Sequence, residues 1–139
     1  MQILFQRTKF IESDFINKFS LDNQNSGAIF SFIGKVRSKN QNNNVLSIDI
    51  ELYEKMAHFQ IKKIINKLMK KYLIDDYLVV HRYGRVKPRE NIVLIVVASQ
   101  HRKESFRFGE GLMDWLKVKA TFWKKENFVN GSEWVNQKE

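Results

Sequence analysis

The feature that most limits what this chain can fold into is an unbroken apolar run, I-V-L-I-V-V-A, from Ile92 to Ala98. Together with the segment Y-L-V-V-H-R before it, this run predicts two β-strands, at 76–82 and 91–99. The segment G-R-V-K-P-R-E between them is long enough to connect antiparallel neighbours. A pair of adjacent antiparallel strands is therefore the first expected element of the fold.

The clearest helix is predicted between residues 54 and 72. Its lysines point away from an apolar stripe formed by Ala57, Ile61, Ile64, Ile65, Leu68 and Tyr72. A shorter helix is predicted at 11–19, and a third after Ser99. Gly109 and Gly111 lie inside the third helix, where each costs about 1 kcal/mol relative to alanine. Close packing against another element is the expected reason for both glycines.

The remaining strands are predicted from short apolar or alternating segments. These segments are 2–7, 27–34, 45–53, the aromatic stretch that leads up to Glu126, and 131–135. The polar, asparagine-rich segment 35–44 predicts a mobile surface loop. The resulting order, β-α-β-β-α-β-β-α-β-β, is typical of a mixed α+β fold, and we expect a single domain over residues 1–139.

The composition is that of a folded, basic protein. Of 139 residues, 43% are hydrophobic, and the formal charge of +9 predicts attraction to polyanions or phosphorylated ligands. The absence of cysteine excludes disulfides, thiolate metal sites and cysteine nucleophiles. No segment approaches the roughly 20 apolar residues of a membrane span, and the N-terminus has no signal-peptide pattern. We therefore expect a cytoplasmic protein that is not associated with a membrane.

The most informative stretch runs from Ser99 to Glu126, where cations cluster at both ends of the predicted helix. His101, Arg102 and Lys103 lie at its start, where the helix dipole disfavours positive charge, so they serve something other than helix stability. At and beyond its end, two lysines stand on each side of a pair of aromatic residues: Lys117, Lys119, Phe122, Trp123, Lys124 and Lys125. This arrangement suits an anion with a flat ring system. It equally suits a solvated helix terminus, since cations near a helix C-terminus are stabilising.

Two kinds of chemistry are available to these cations. A lysine acts as nucleophile or general base only after its ammonium loses a proton, and burial and neighbouring cations promote that loss. Lys117 has both neighbouring lysines and aromatic residues around it in the sequence. Arg37, His101 and Arg102 suit a phosphate, because guanidinium groups bind oxyanions through paired hydrogen bonds. A metal site is not expected, because no two of the three histidines have the spacing of a helical metal site.

Five segments together carry a resemblance to a known family. They are G-A-I-F-S-F-I-G-K-V-R, I-E-L-Y-E-K-M-A, H-R-Y-G-R-V, V-A-S-Q-H-R and M-D-W-L-K-V-K-A-T-F-W-K-K-E. Their order and spacing resemble those of the large, catalytic subunit of molybdopterin synthase, over residues 2–136. Each segment alone is a weak signal, but A-S-x-H-R combined with L-K-x-(R/K)-A-x-F-W-K-(K/R)-E is highly specific.

The resemblance implies a sulfur transfer in molybdenum cofactor biosynthesis. Enzymes of this family convert cyclic pyranopterin monophosphate, also called precursor Z, to molybdopterin by opening its cyclic phosphate and installing two sulfurs. The sulfur arrives as a thiocarboxylate on the C-terminal Gly-Gly of a small ubiquitin-like subunit, whose tail enters a pocket of the large subunit. The resemblance further implies a homodimer within a heterotetramer and no cofactor. The implied fold is a largely antiparallel, hammerhead-like sheet with packed helices and a small extra β subdomain.

Two catalytic lysines are carried over from the family. Lys117 matches the lysine at which the partner's C-terminus arrives, and Lys124 matches the second catalytic lysine, in the F-W-K motif. The expected role of Lys117 is proton transfer or transient covalent chemistry. Lys124 is expected to support developing negative charge.

The binding residues are carried over in the same way. Arg37 in G-K-V-R, together with His101 and Arg102 in S-Q-H-R, is expected to hold the substrate phosphate. Lys119 is a further substrate-binding candidate, but it stands where arginine is common in the family, so bidentate phosphate binding is weakened there. Phe32 is expected to pack near the incoming tail of the partner.

Two alternatives stay open on sequence alone. One is a subunit that scaffolds a partner without catalysis, against which the intact lysines argue, and the other is a nucleic-acid-binding module. The net charge and the lysine face of the 54–72 helix suit a basic nucleic-acid-binding module, whose affinity for oligonucleotides falls steeply with salt. No known basic motif accompanies that face, and a solvated amphipathic helix is the simpler interpretation, so no nucleic-acid partner is expected.

Overall fold

The computed structural model describes residues 1–119 and 122–135. The helices are α1, Glu12–Asp22, α2, Glu54–Met69, and α3, Arg102–Lys119. The strands are β1 Gln2–Gln6, β2 Ala28–Lys35, β3 Lys39–Asn40, β4 Asn43–Leu52, β5 Asp76–Arg82, β6 Gly84–Val86, β7 Asn91–Ser99, β8 Phe122–Phe128 and β9 Gly131–Trp134. The predicted α+β class is confirmed, and β5 and β7 coincide with the two strands predicted first.

The first sheet has the strand order β1-β5-β7-β2. β1 pairs with β5 in parallel, while β5–β7 and β7–β2 are antiparallel. The two central strands, β5 and β7, are buried on both faces, which explains their nearly continuous apolar sequences. In β7, Leu94, Val96 and Ala98 pack with α1, whereas Val93, Ile95 and Val97 pack with α2 and α3. Helices therefore cover both faces of this sheet.

The second sheet has the order β3-β4-β8-β9, with β6 also paired to β4. Ile48 and Ile50 of β4 and Phe122 of β8 belong to the same core cluster as the inner residues of α2 and α3. The sheet corresponds to the small extra β subdomain expected from the resemblance. Because β8 follows α3 closely in the chain, its inner face lies next to the C-terminal end of that helix.

The prediction of a loop over the whole of 35–44 was wrong, because β3 and the start of β4 form a hairpin, whereas the mobility of the segment stays a prediction. Asn40 of β3 pairs with Asn43 of β4, which leaves a two-residue turn. Its central residues, Gln41 and Asn42, have φ of 51° and 67°. Positive φ at both positions is the requirement of a type I′ turn, and asparagine tolerates that conformation better than most residues. The asparagine-rich composition thus supports a tight turn.

The two glycines of α3 lie where neighbouring side chains come close, as predicted. A β-carbon at Gly109 would overlap the ring of Phe30 from β2. At Gly111 it would lie 2.9 Å from a methyl group of Leu68 in α2. The helix is therefore held against β2 at one glycine and against α2 at the other.

We expect Gly109→Ala to lower the free energy of unfolding by about 1–2 kcal/mol, because overpacking against an aromatic ring outweighs the gain in helix propensity. Gly111→Ala is the matched control, since a leucine methyl group can rotate away, and its effect is expected to be smaller. Urea denaturation of both variants measures the difference. Stabilisation by both alanines would contradict the close packing at Gly109.

Candidate active site

A cavity of about 220 Å³ opens where the end of α3 meets β2 and β8. Its apolar wall includes Phe32 of β2 and Phe122 of β8. Four side chains that carry nitrogen also line it: Lys35, His81, Lys117 and Lys124. These residues come from β2, β5, α3 and β8, so the cavity exists only after both sheets and the helix have packed.

The two lysines carried over from the family resemblance meet at this cavity. Lys117 lies in the last turn of α3, and its side chain is exposed. Lys124 is on β8, where it shares the inner face with Phe122 because side chains alternate along a strand. Lys117 therefore lies at the open side of the cavity and Lys124 deeper within it.

The electrostatic environment distinguishes Lys124. Its burial lowers the pKa below the ordinary 10.5, and the positive charge of Lys117 lowers it further. A lysine in this setting loses its proton more readily than one in water. The structure therefore gives this setting to Lys124, for which the sequence predicted only charge support.

His81 is a residue of the cavity to which the sequence assigned no role. Its side chain is 3% exposed, and its ring stacks on Phe122 with 4.0 Å between ring centroids. Burial lowers the pKa of His81 to about 3, the charge of Lys124 adds to this, and a hydrogen bond to the carbonyl of Arg82 opposes it. The imidazole is therefore neutral at physiological pH.

The buried neutral imidazole predicts a dependence of stability on pH. In the unfolded chain His81 binds its proton near pH 6.5, but in the folded chain only near pH 3. Between these values the unfolded state carries more protons, so the free energy of unfolding falls by roughly 1 kcal/mol per pH unit as pH drops below about 6.5. Urea denaturation at pH 7, 6 and 5 measures this slope. His81→Phe should flatten it, and an unchanged slope in that variant would contradict the assignment.

Arg37 does not line the cavity and lies next to the β3–β4 hairpin. Its side chain is exposed, and its guanidinium donates to Oδ1 of Asn40 at 3.3 Å. The amide nitrogen of Asn40 donates to both carboxylate oxygens of Glu126, at 3.0 and 3.1 Å. Glu126 is buried on the same face of β8 as Lys124. Asn40 thus connects the hairpin and Arg37 to β8, the strand that carries Lys124.

The remaining predicted site residues do not meet at the cavity within one chain. His101 and Arg102 are exposed at the start of α3, and fifteen residues of helix, about 22 Å, separate Arg102 from Lys117. Lys119 is the last residue of α3, and its side chain lies outside the part of the chain that the structure describes. Their roles in binding phosphate stay predictions.

A larger groove, of about 650 Å³, lies on the outer side of the second sheet. Tyr53, Trp123 and Trp134 line it together with Arg7. None of the predicted catalytic or substrate-binding residues that the structure describes lies in this groove. The smaller cavity is the candidate active site, because the two candidate catalytic lysines converge there.

Two further observations bear on function. Among residues 1–119 and 122–135, no helix is long and apolar enough to cross a membrane. The same part of the chain contains no group of three or more histidine, aspartate or glutamate side chains placed to hold a metal ion.

Two lysines that line one cavity, the more buried of them with a lowered pKa, are an arrangement suited to an enzyme that acts on an anionic substrate. The chain belongs to the MoaE protein family, whose family model matches residues 5–119. It is similar to the molybdopterin synthase catalytic subunit of Ralstonia nicotianae, with 42% identity over 79% of this chain and 62% of that protein. It is similar to the same subunit of Cereibacter sphaeroides, with 36% identity over 100% of this chain and 94% of that protein. The family resemblance seen in the sequence is confirmed.

Solved structures share the fold. The molybdopterin synthase structure from Staphylococcus aureus has a TM-score of 0.88 at 27% identity and covers 98% of both chains. A complex of subunits 1 and 2 of molybdopterin-converting factor from Helicobacter pylori has a TM-score of 0.83 at 19% identity, over 99% of this chain and 92% of that one. At this low identity the second likeness shows the fold alone.

Proposed function

We propose that this chain is the catalytic subunit of a molybdopterin synthase. It transfers sulfur from the C-terminal thiocarboxylate of a small ubiquitin-like subunit to cyclic pyranopterin monophosphate and so forms molybdopterin. The observation that carries this proposal is the convergence of Lys117 and Lys124 with Phe32 on one cavity. Family membership supports the reaction, because its relatives are molybdopterin synthase catalytic subunits.

The cavity is suited to the tail of the partner subunit. A tail that ends in two glycines has no side chains and can enter a narrow opening. The wall formed by Phe32, Met113 and Leu116 restricts water around the thiocarboxylate, which protects it from hydrolysis. Lys117, exposed at the opening, is placed to meet the anionic end of the tail.

The two lysines divide the chemistry between them. The sequence predicts proton transfer or transient covalent chemistry for Lys117 and charge support for Lys124, but the lowered pKa of Lys124 favours proton transfer by Lys124 and charge support by Lys117. A neutral Lys124 amine accepts a proton, since only a deprotonated lysine acts as a base. The ammonium of Lys117 then stabilises the negative charge that develops as sulfur is transferred.

The phosphate of the substrate is held by cations around the cavity. Lys35 lines it directly, and the hydrogen bonds of Asn40 orient Arg37 beyond it. A single substrate cannot also reach His101 and Arg102, which lie about 22 Å away along α3. Since the family resemblance implies a homodimer, we assign this pair to the cavity of the second copy.

Mixed dimers test that assignment. Lys117→Ala and Arg102→Ala are each expected to be nearly inactive, but copies of the two, unfolded and refolded together, are expected to recover about a quarter of the wild-type activity. Half of the dimers formed at random contain one copy of each variant. In such a dimer both substitutions fall in one site and the other site is intact, so a quarter of all sites are active. A mixture as inactive as its components would contradict a shared site.

Reconstitution tests the function itself. The chain is combined with a thiocarboxylated small subunit and cyclic pyranopterin monophosphate, and the pterin dithiolene is detected. We expect product with the thiocarboxylate and none with the same subunit carrying an ordinary carboxylate. A complex that forms and binds both reactants, yet gives no dithiolene, would overturn the proposal.

The nucleic-acid alternative is not supported by the comparisons, because the relatives are enzyme subunits. The cytoplasmic location and the single domain over residues 1–139 stay predictions. Cell fractionation and limited proteolysis would check them.

A further inference from the structure

The backbone of His81 is fixed from both sides. It lies on β5, between β1 and β7, with Phe5 as its partner on one side and Val93 on the other. Its side chain lines the cavity although it is only 3% exposed. The imidazole is therefore part of the floor of the site.

The orientation of the ring is fixed as well. Its plane lies within 9° of the plane of Phe122, with 4.0 Å between centroids. Nδ1 lies 2.8 Å from the carbonyl oxygen of Arg82. Because a carbonyl oxygen can only accept, Nδ1 carries the proton and donates it. The neutral ring therefore keeps its lone pair on Nε2, the nitrogen that the carbonyl contact leaves free.

The ring lies beside Lys124. Phe122, on which His81 stacks, and Lys124 project from the same face of β8, about 7 Å apart along the strand. Both His81 and Lys124 line the cavity. The charge of Lys124, when that lysine is protonated, adds to the effect of burial in lowering the pKa of His81, so the imidazole lies within the field of the ammonium.

We infer that His81 is a positioning residue for Lys124. The two side chains share no hydrogen bond in the described structure, where Nδ1 of the ring contacts the carbonyl of Arg82. In the occupied site, Nζ of Lys124 turns to donate a hydrogen bond to Nε2, which directs the lone pair of the deprotonated amine towards the substrate. The inference rests on the proposed function and adds a residue to which the sequence assigned no role, although His81 opens the segment H-R-Y-G-R-V.

This role requires a neutral imidazole. The Lys124 amine has two N–H bonds and one lone pair, so donating one N–H to Nε2 leaves the lone pair for an incoming proton. When Lys124 takes up that proton, the new ammonium keeps the same hydrogen bond. A protonated imidazole could not accept it and would repel the ammonium. The burial of His81 is therefore part of how the site works.

Two substitutions of His81 test the inference in reconstituted enzyme. His81→Phe keeps a flat ring on Phe122 but removes the acceptor, and it is expected to lower kcat by roughly 10- to 100-fold with little change in KM. His81→Gln places a side-chain carbonyl near the position of Nε2 and is expected to restore most of that loss. In a Lys124→Ala background, His81→Phe should cause no further loss.

A measurement apart from activity separates this role from a structural one. Because the acceptor stabilises the ammonium, removing it should lower the pKa of Lys124 in an NMR titration, and His81→Gln should return it. Wild-type kcat in His81→Phe, or an equal loss in the Lys124→Ala background, would overturn the inference. Lack of product in the wild-type protein would count against the proposed function instead. If His81→Phe does not fold, the test rests on His81→Gln alone. A kcat of His81→Gln below one hundredth of the wild-type value would then overturn the inference.

Discussion

Lys117→Ala is expected to lower the rate of molybdopterin formation by about 100- to 1000-fold while the fold and the binding of the partner subunit persist. The ammonium of Lys117 lies at the opening of the cavity, where the tail of the partner arrives. Its side chain is exposed, so truncation leaves no void in the core. Single-turnover formation of the dithiolene measures the rate, and titration of the small subunit measures binding.

The matched control is Lys63→Ala, which removes an exposed lysine from α2. It changes the net charge by the same amount and should leave the rate unchanged. This comparison separates the position of Lys117 from a general effect of the basic surface. Dithiolene formation at the wild-type rate by Lys117→Ala would remove the mechanism proposed for this lysine.

Lys124→Arg is expected to lower the same rate by about 1000-fold, although it preserves the positive charge. Guanidinium does not lose its proton in the accessible pH range, so arginine cannot supply the neutral base. In the wild-type enzyme, the neutral amine accumulates as pH rises through the lowered pKa of Lys124. The rate should therefore increase with pH over that range and then level off, which a pH profile of the single-turnover rate measures.

Lys117→Gln provides the corresponding control for the electrostatics. It removes a charge that lowers the pKa of Lys124, so that pKa should rise in an NMR titration of the variant. Full activity of Lys124→Arg, or a rate that falls as pH increases, would show that Lys124 acts through its charge. The roles of the two lysines would then be those first expected from the sequence.

The parts of the fold that follow from local pattern were predictable. β5 and β7 are buried on both faces, so their apolar runs mark their bounds closely. β3 and β6 were missed, because strands of two and three residues have no pattern of their own and are defined by their pairing with β4. The hairpin turn was missed for a different reason, since asparagine suits both loops and type I′ turns.

Some residues of the candidate site could likewise be predicted from the sequence, and others could not. Lys117 and Lys124 could be identified because they lie in specific motifs close together in the chain. His81 could not, because a single histidine in an apolar strand is most often a structural residue, and its stack on Phe122 depends on a contact across the fold. The separation of His101 from Lys117, in contrast, follows from the helix that the sequence predicts between them, because each residue of an unbroken α3 adds about 1.5 Å.

The burial of β5 and β7 between helical layers has a consequence for how the site adapts to its ligands. Amide protons of these strands should exchange with deuterium only through global unfolding, which makes the base of the cavity the least deformable part of the protein. The β3–β4 turn at the periphery has no such protection and should exchange quickly. When substrate binds, we therefore expect amide exchange rates to change at the β3–β4 turn, while those of β5 and β7 at the base of the cavity stay the same.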